Sequence, residues 1–240
     1  MTSRGVLVIG ASSPIGVAIG EAFAAGGDRV VGASLEPHEH PAFTRTLVAD
    51  CADPVAAGGV VAQARETLGR LDVVVPAAAV MPVASVVDTT DAQWRTAFGA
   101  GVDSAFHVLR AALPILPRGG AVVAVSSINA TLAAPGVPAY AAAKSALEGL
   151  VRQTALEYGP SGVRVNAVAP GMIGNASLPD VAEGYPLRRV GDPEDVAAAV
   201  LFLASPRAAF ITGVVLPVDG GLSISSPAAW LRQDLRDRWL

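Results

Sequence analysis

Tyr140 and Lys144 stand four residues apart, and Ser127 lies thirteen residues before the tyrosine, closing the apolar run AVVAVSS. On a helix, positions i and i+4 stack on one face, so phenol and ammonium would sit side by side. A fixed cation beside a phenol favours the phenolate and lowers a pKa that is about 10 in water. Such a phenol can exchange a proton with a substrate oxygen near neutral pH. A hydroxyl at the end of a neighbouring strand can donate a hydrogen bond to the same oxygen. The triple therefore suits proton movement on a carbonyl or an alcohol. Each residue also has an ordinary reading, as a half-buried ring, a solvated lysine and a turn serine. The weight lies in the spacing and in the elements around it.

Those elements alternate. Gly5 to Ile9 (GVLVI) is a short apolar run of the kind buried on both faces of a parallel sheet. It enters the turn Gly10 to Gly16 and then a helical stretch stopped by Gly26-Gly27. Strand, glycine turn and helix together aim backbone N–H groups and a positive helix end at an anion such as a pyrophosphate. Further strands are expected at Arg29–Ser34, Leu47–Ala49, Leu71–Val75, in the run ending at Ser127, at Val163–Val168 and at Gly213–Val218. Helices are expected from Val55 to Leu68, from Thr90 or Asp91 towards Leu113, from Tyr140 to Tyr158, and from Asp192 through Leu203. This order predicts an α/β fold: a doubly wound parallel sheet of about seven strands with helices on both faces. Right-handed crossovers line up the strand C-termini, where ligands of such sheets bind. The Gly10–Gly16 turn, Asp50, Pro76–Ala79, Ser127 and Pro170–Ile173 all follow strand ends, so they should converge on one crevice.

Composition narrows the function. With 52% hydrophobic and 16% charged residues, the chain of 240 residues has material for one large core. A net charge of −4 leaves no basic face for nucleic acid. No apolar stretch is long enough to span a membrane. The single cysteine, Cys51, excludes an internal disulfide, fits a reducing cytoplasm and is read as a small buried hydrophobe. His38 and His40 lie two apart on a loop without a third ligand, and no metal site is expected.

At the level of whole motifs the chain resembles the short-chain dehydrogenase/reductase family, the single-domain Rossmann oxidoreductases, over roughly residues 5 to 221. The specific parts are Ser127 with Tyr140-x-x-x-Lys144, VRVNAVAPG ending in Pro170-Gly171, and PEDVAAAVLFLAS with ITGVVLPVDGG near the end. The resemblance implies a catalytic dinucleotide-binding domain over 1–221 and a tail over 222–240. It implies NAD(P)-dependent interconversion of a ketone and an alcohol on a small or mid-sized substrate. In that scheme Tyr140 is the acid/base, Lys144 holds the nicotinamide ribose and tunes the phenol, and Ser127 bonds the substrate carbonyl. The cofactor set it implies is Gly10, Ser12, Ser13, Ile15, Gly16, Ser34, Asp50, Cys51, Ala77, Ala78, Tyr140, Lys144, Pro170, Gly171, Ile173 and Asn175. Asp50 would face the adenine, and Ile173 would offer backbone to the carboxamide.

The chain departs from the family pattern at named places. Pro14 replaces the middle glycine of the phosphate loop, tolerable if Ser13 caps the helix and Pro14 is its first residue. Pro76-Ala77-Ala78-Ala79 stands for Asn-Asn-Ala-Gly, Gly101 for the helix asparagine of the catalytic tetrad, and Asn175 for a threonine. These departures keep a second reading open: a cofactor-assisted isomerase, cyclase or dehydratase, or a non-redox dinucleotide-binding protein. Ser34 stands where an acid would select NAD, and Leu35 where an arginine would grip a 2′-phosphate. The missing acid tilts the expectation to NADP(H) over NAD(H), with Glu36 close enough to reverse it. The resemblance implies a homodimer or homotetramer, and Ala141 to Leu156 offers small residues on one face for such a pairing. The tail segment WLRQDLRDRWL reads as an amphipathic helix.

Overall fold

The five residues of β1 (Gly5–Ile9) are all buried, and their side chains alternate between two cores. Leu7 and Ile9 point into one, and Val6 and Val8 into the other, which is the period-2 rule of a strand covered on both faces. In the computed structural model, which describes residues 3–238, seven strands form one sheet in the order β3-β2-β1-β4-β5-β6-β7. The others are β2 (Arg29–Ser34), β3 (Arg45–Val48), β4 (Val73–Pro76), β5 (Ala121–Val125), β6 (Arg164–Pro170) and β7 (Val215–Val218). Every pairing is parallel. The ladder between β4 and β5 is short, with two register pairs, Val73 with Ala121 and Val74 with Val122. Between β5 and β6 there are five.

Helices α1 (Pro14–Ala25) and α6 (Pro193–Ala204) cover one face. Helices α2 (Pro54–Leu68), α4 (Ser104–Ala112) and α5 (Pro138–Tyr158) cover the other. Their starts follow capping chemistry. Ser13 caps α1 by accepting from Gly16 N–H, with Pro14 in the first turn where no N–H is needed. Asp53 caps α2 in the same manner, again ahead of a proline. The order of strands reverses beside β1, which opens a crevice at the C-terminal edge of the sheet.

Several boundaries differ from the sequence reading. β3 ends at Val48, not Ala49, and β4 starts at Val73 because Asp72 leaves the strand pattern to bind Gly5 N–H and Arg70. The helix expected from residue 90 to 113 is α3 (Asp91–Phe98), a π-helical segment at Gly99–Asp103, and α4. Two glycines, Gly99 and Gly101, lie in that wider turn, and Gly101 is buried against α5. The tail is not one amphipathic helix. It forms α7 (Ala228–Leu231) and α8 (Gln233–Arg236), separated by an extended Arg232 (φ −94°, ψ 124°). A segment this short cannot hold a helix without packing along its length. Here the packing is local: the Arg188 guanidinium lies 5.2 Å from the Trp230 ring centre. Residues 239–240 of that expected helix lie outside the described residues. Among the described residues no helix is long and apolar enough to cross a membrane.

Candidate active site

The β1–α1 turn is shaped by backbone contact. Gly10 has φ +86°, and a Cβ there would fall 2.8 Å from Ala78 N. A Cβ on Gly16 would fall 2.2 Å from Gly10 O. Only glycine lets these strands approach so closely. Gly10 N–H donates to Ala33 O (2.8 Å) and Ala77 N–H to Ile9 O (2.9 Å), which ties the ends of β2, β1 and β4 together. Ser34 is buried at the end of β2, and its hydroxyl donates to Glu36 O (2.8 Å). Asp50 accepts from Ala52 N–H and lies beside Cys51. Burial, reinforced by the Asp50 charge, pushes the Cys51 thiol up to about 11. It is a thiol at neutral pH, as a residue with no redox chemistry would be.

At β5 the polar groups are side chains. Ser127 lies just beyond the strand and caps a short turn by accepting from Asn129 N–H (3.2 Å). Tyr140 and Ser127 share a hydrogen bond. Lys144, only 2% exposed, donates to Val125 O at 2.6 Å, with its Nζ 5.6 Å from the Tyr140 ring centre. The electrostatics correct the sequence reading. Burial raises the Tyr140 phenol above its ordinary value, and the Ser127 bond only partly offsets this. Burial also draws the Lys144 ammonium down to about 8. Removal from water is the largest influence on both groups.

The loop after β6 closes the crevice. Gly171 N–H bonds Val218 O, and Met172 N–H donates to the Tyr185 hydroxyl at 2.9 Å. Ile173 pairs with Gly191, and Asn175 takes a left-handed φ of 59°. The crevice, about 1110 Å³, is lined by each of the expected site residues except Gly16, which sits behind the turn. Sequence reasoning missed Asn129 as a lining residue, along with Arg95 and Thr96 of α3.

A family model described as enoyl-(acyl carrier protein) reductase matches residues 10–223, nearly the whole sheet and crevice. The chain belongs to the short-chain dehydrogenase/reductase family. An uncharacterized oxidoreductase of Mycobacterium tuberculosis is 37% identical, with 90% of this chain and 91% of that protein covered. A galactitol 2-dehydrogenase (L-tagatose-forming) of Cereibacter sphaeroides is 35% identical over 90% and 94%. The ligand-free aldohexose dehydrogenase of Thermoplasma acidophilum superposes with a TM-score of 0.88 at 29% identity, covering 94% and 96%. Like its dehydrogenase relatives, this short-chain dehydrogenase/reductase is an enzyme: a nicotinamide-dinucleotide-dependent oxidoreductase of a small substrate. Its departures from the family pattern now have locations. Pro14 is the first residue of α1, as its capping by Ser13 requires. Ala77 and Ala78 press their backbone against Gly10. Gly101 lies in the π segment, where an added Cβ would meet Ala143 Cβ at an ordinary 3.5 Å.

Proposed function

We propose that Tyr140 is the acid/base of a carbonyl–alcohol interconversion, with Ser127 holding the reacting oxygen and Lys144 holding the nicotinamide ribose. The observation that carries this reading is the Tyr140–Ser127 hydrogen bond on the crevice wall, with Lys144 buried one helical turn on. The dinucleotide fits the chain: a glycine turn that a Cβ would fill meets the start of a long helix on the same wall. When bound, the nicotinamide supplies or accepts the hydride. Ser127 donates to the carbonyl oxygen, and Tyr140 delivers a proton to it in the reducing direction. The raised phenol keeps that proton at neutral pH, so reduction should run at neutral pH and oxidation should favour alkaline pH.

The charge layout supports NAD(H). Among the described residues lining the crevice, the carboxylates Glu36 and Asp50 lie at the β2 and β3 ends, while the cations Arg95 and Lys144 come from α3 and α5. A 2′-phosphate at the β2 end would meet two acids and no guanidinium. This reading departs from the tilt to NADP(H) drawn from position 34. For the substrate, Met81, Val137, Met172 and Leu222 give the crevice an apolar outer wall, with the Asn129 amide as a polar point. That lining favours a mid-sized carbonyl less hydroxylated than the sugars and polyols named for some relatives. Exposed Phe106 on α4 and Leu156 on α5 support assembly as a homodimer or homotetramer through these helices. A cytoplasmic setting, drawn from the lone cysteine, belongs to the same proposal.

The deciding experiment is Tyr140→Phe assayed on a panel of ketones beside a thermal melt and an NADH fluorescence titration. Turnover should fall by about 10²-fold or more with fold and NADH binding retained. Unchanged turnover would remove Tyr140 from the mechanism and favour the isomerase or binding-protein reading.

A further inference from the structure

Three consecutive residues at the end of β5 are each bonded to one face of α5. Val125 contributes its carbonyl to Lys144 Nζ (2.6 Å), Ser127 its hydroxyl to Tyr140, and Ser126 its hydroxyl to Glu148 Oε1 (2.9 Å). Tyr140, Lys144 and Glu148 are spaced at i, i+4 and i+8, so one stripe of the helix carries all three partners. Ser126 and Glu148 are 2% and 5% exposed. The second Glu148 oxygen lies 3.8 Å from the Arg152 guanidinium, which is mostly exposed. A carboxylate in such a place loses its water and is retained only with a bonded partner. An apolar pair of the same shape would hold strand to helix as well or better. What an apolar pair could not do is fix the rotation of the strand end. Ser126 is flanked on both sides by the residues that hold Lys144 and Tyr140.

We infer that Glu148 is a positioning residue of the reacting centre, acting through Ser126 to hold Ser127 against Tyr140 and Val125 O against Lys144. The inference rests on the acid/base reading of Tyr140. It concerns the aim of the strand end and not contact with substrate. Without the Ser126–Glu148 bond, β5 stays paired to β6, but its last residues lose their fixed orientation towards α5.

The test compares Glu148→Ala, Glu148→Gln, Ser126→Ala and the Ser126→Ala/Glu148→Ala double variant. Ketone reduction should fall about tenfold in either alanine variant, the scale of a small misplacement at a reacting centre. The double variant should be no worse than either single one, because the pair acts as a unit. Any rise in the NADH dissociation constant should stay smaller than the fall in turnover, and Glu148→Gln, which keeps the acceptor oxygen, should stay near wild type. A second reading needs no substrate: tyrosinate absorbance followed against pH, with the Tyr140 step identified by its loss in Tyr140→Phe. That step should move up in both alanine variants, as the Ser127 bond that lowers the phenol is lost, and stay in place in Glu148→Gln. Lower melting temperatures with turnover and tyrosinate step both unmoved would overturn the inference, leaving a structural bond only. Equal damage in Glu148→Gln and Glu148→Ala would overturn it too. If Tyr140→Phe itself turns over ketones like wild type, the acid/base reading fails, and the tyrosinate step still decides whether Glu148 positions Tyr140.

Discussion

At the β1–α1 end of the crevice the chain works by leaving side chains out, and at the β5–α5 end by burying polar ones. Gly10 and Gly16 let backbone touch backbone, with a Cβ at either position overlapping main-chain atoms. At the other end Ser126, Ser127, Lys144 and Glu148 are all buried and all bonded. One end is rigid by sterics, so it tolerates no added volume. The other is rigid by hydrogen bonds, so it should respond to pH and to the loss of single polar atoms. Shape and charge are thus assigned to different parts of one site.

The comparison can be broken most forcefully at the first end. Gly16→Ala places a methyl 2.2 Å from Gly10 O, and the resulting overpacking should cost on the order of 3 kcal/mol. A melt and an NADH titration should show lower stability and lost binding together; an intact variant would mean the turn is looser than its contacts indicate. At the second end, Lys144→Met tests the buried ammonium. The lysine is held near 8 when folded against an ordinary 10.5, so the unfolded chain binds the extra proton between those values. Wild-type stability should therefore rise with pH from about 8 to 10.5, by roughly 3 kcal/mol at most, relative to Lys144→Met. Parallel denaturation of the two proteins across that range reads the sign directly, and a flat difference would place the ammonium in water. The smallest effect is expected at Leu35, between the two ends in kind. Leu35→Arg adds a cation without disturbing packing, because Leu35 is exposed, and should strengthen NADPH binding by on the order of 1 kcal/mol. Paired NADH and NADPH titrations check it, and wild-type protein that prefers NADPH tenfold would reverse the cofactor assignment.

The two ends also differ in how far the sequence disclosed them. Glycines at 10 and 16 between an apolar run and a helical pattern announce a tight turn, and Ser13-Pro14 announces its cap. Buried strands such as Val122 to Val125 were legible for the same reason: no alternation, short length and β-branched residues. Glu148 was not legible, since a glutamate inside a helix ordinarily faces water. Its one clue was its place four residues after Lys144, which puts it on the catalytic stripe. The π segment at Gly99–Asp103 had no clue either, because one extra residue in a helical turn leaves the apolar pattern almost unchanged. The sign of the Tyr140 shift was misjudged because spacing reveals a neighbour but not the extent of burial.

The two-residue ladder between β4 and β5 is the shortest in the sheet, and it separates two groups of strands whose ends both line the crevice. Gly10 and Asp50 belong to the side built from β3, β2, β1 and β4, and Ser127, Lys144 and Pro170 to the side built from β5, β6 and β7. Amide exchange in such a molecule should report two cooperative units that open separately along this joint. A dinucleotide lying across both sides binds only when they are docked, so it raises the cost of opening by RT ln(1 + [L]/Kd). The occupied protein should then exchange as a single unit where the free protein exchanges as two, with the cofactor acting as a crosslink between folding halves.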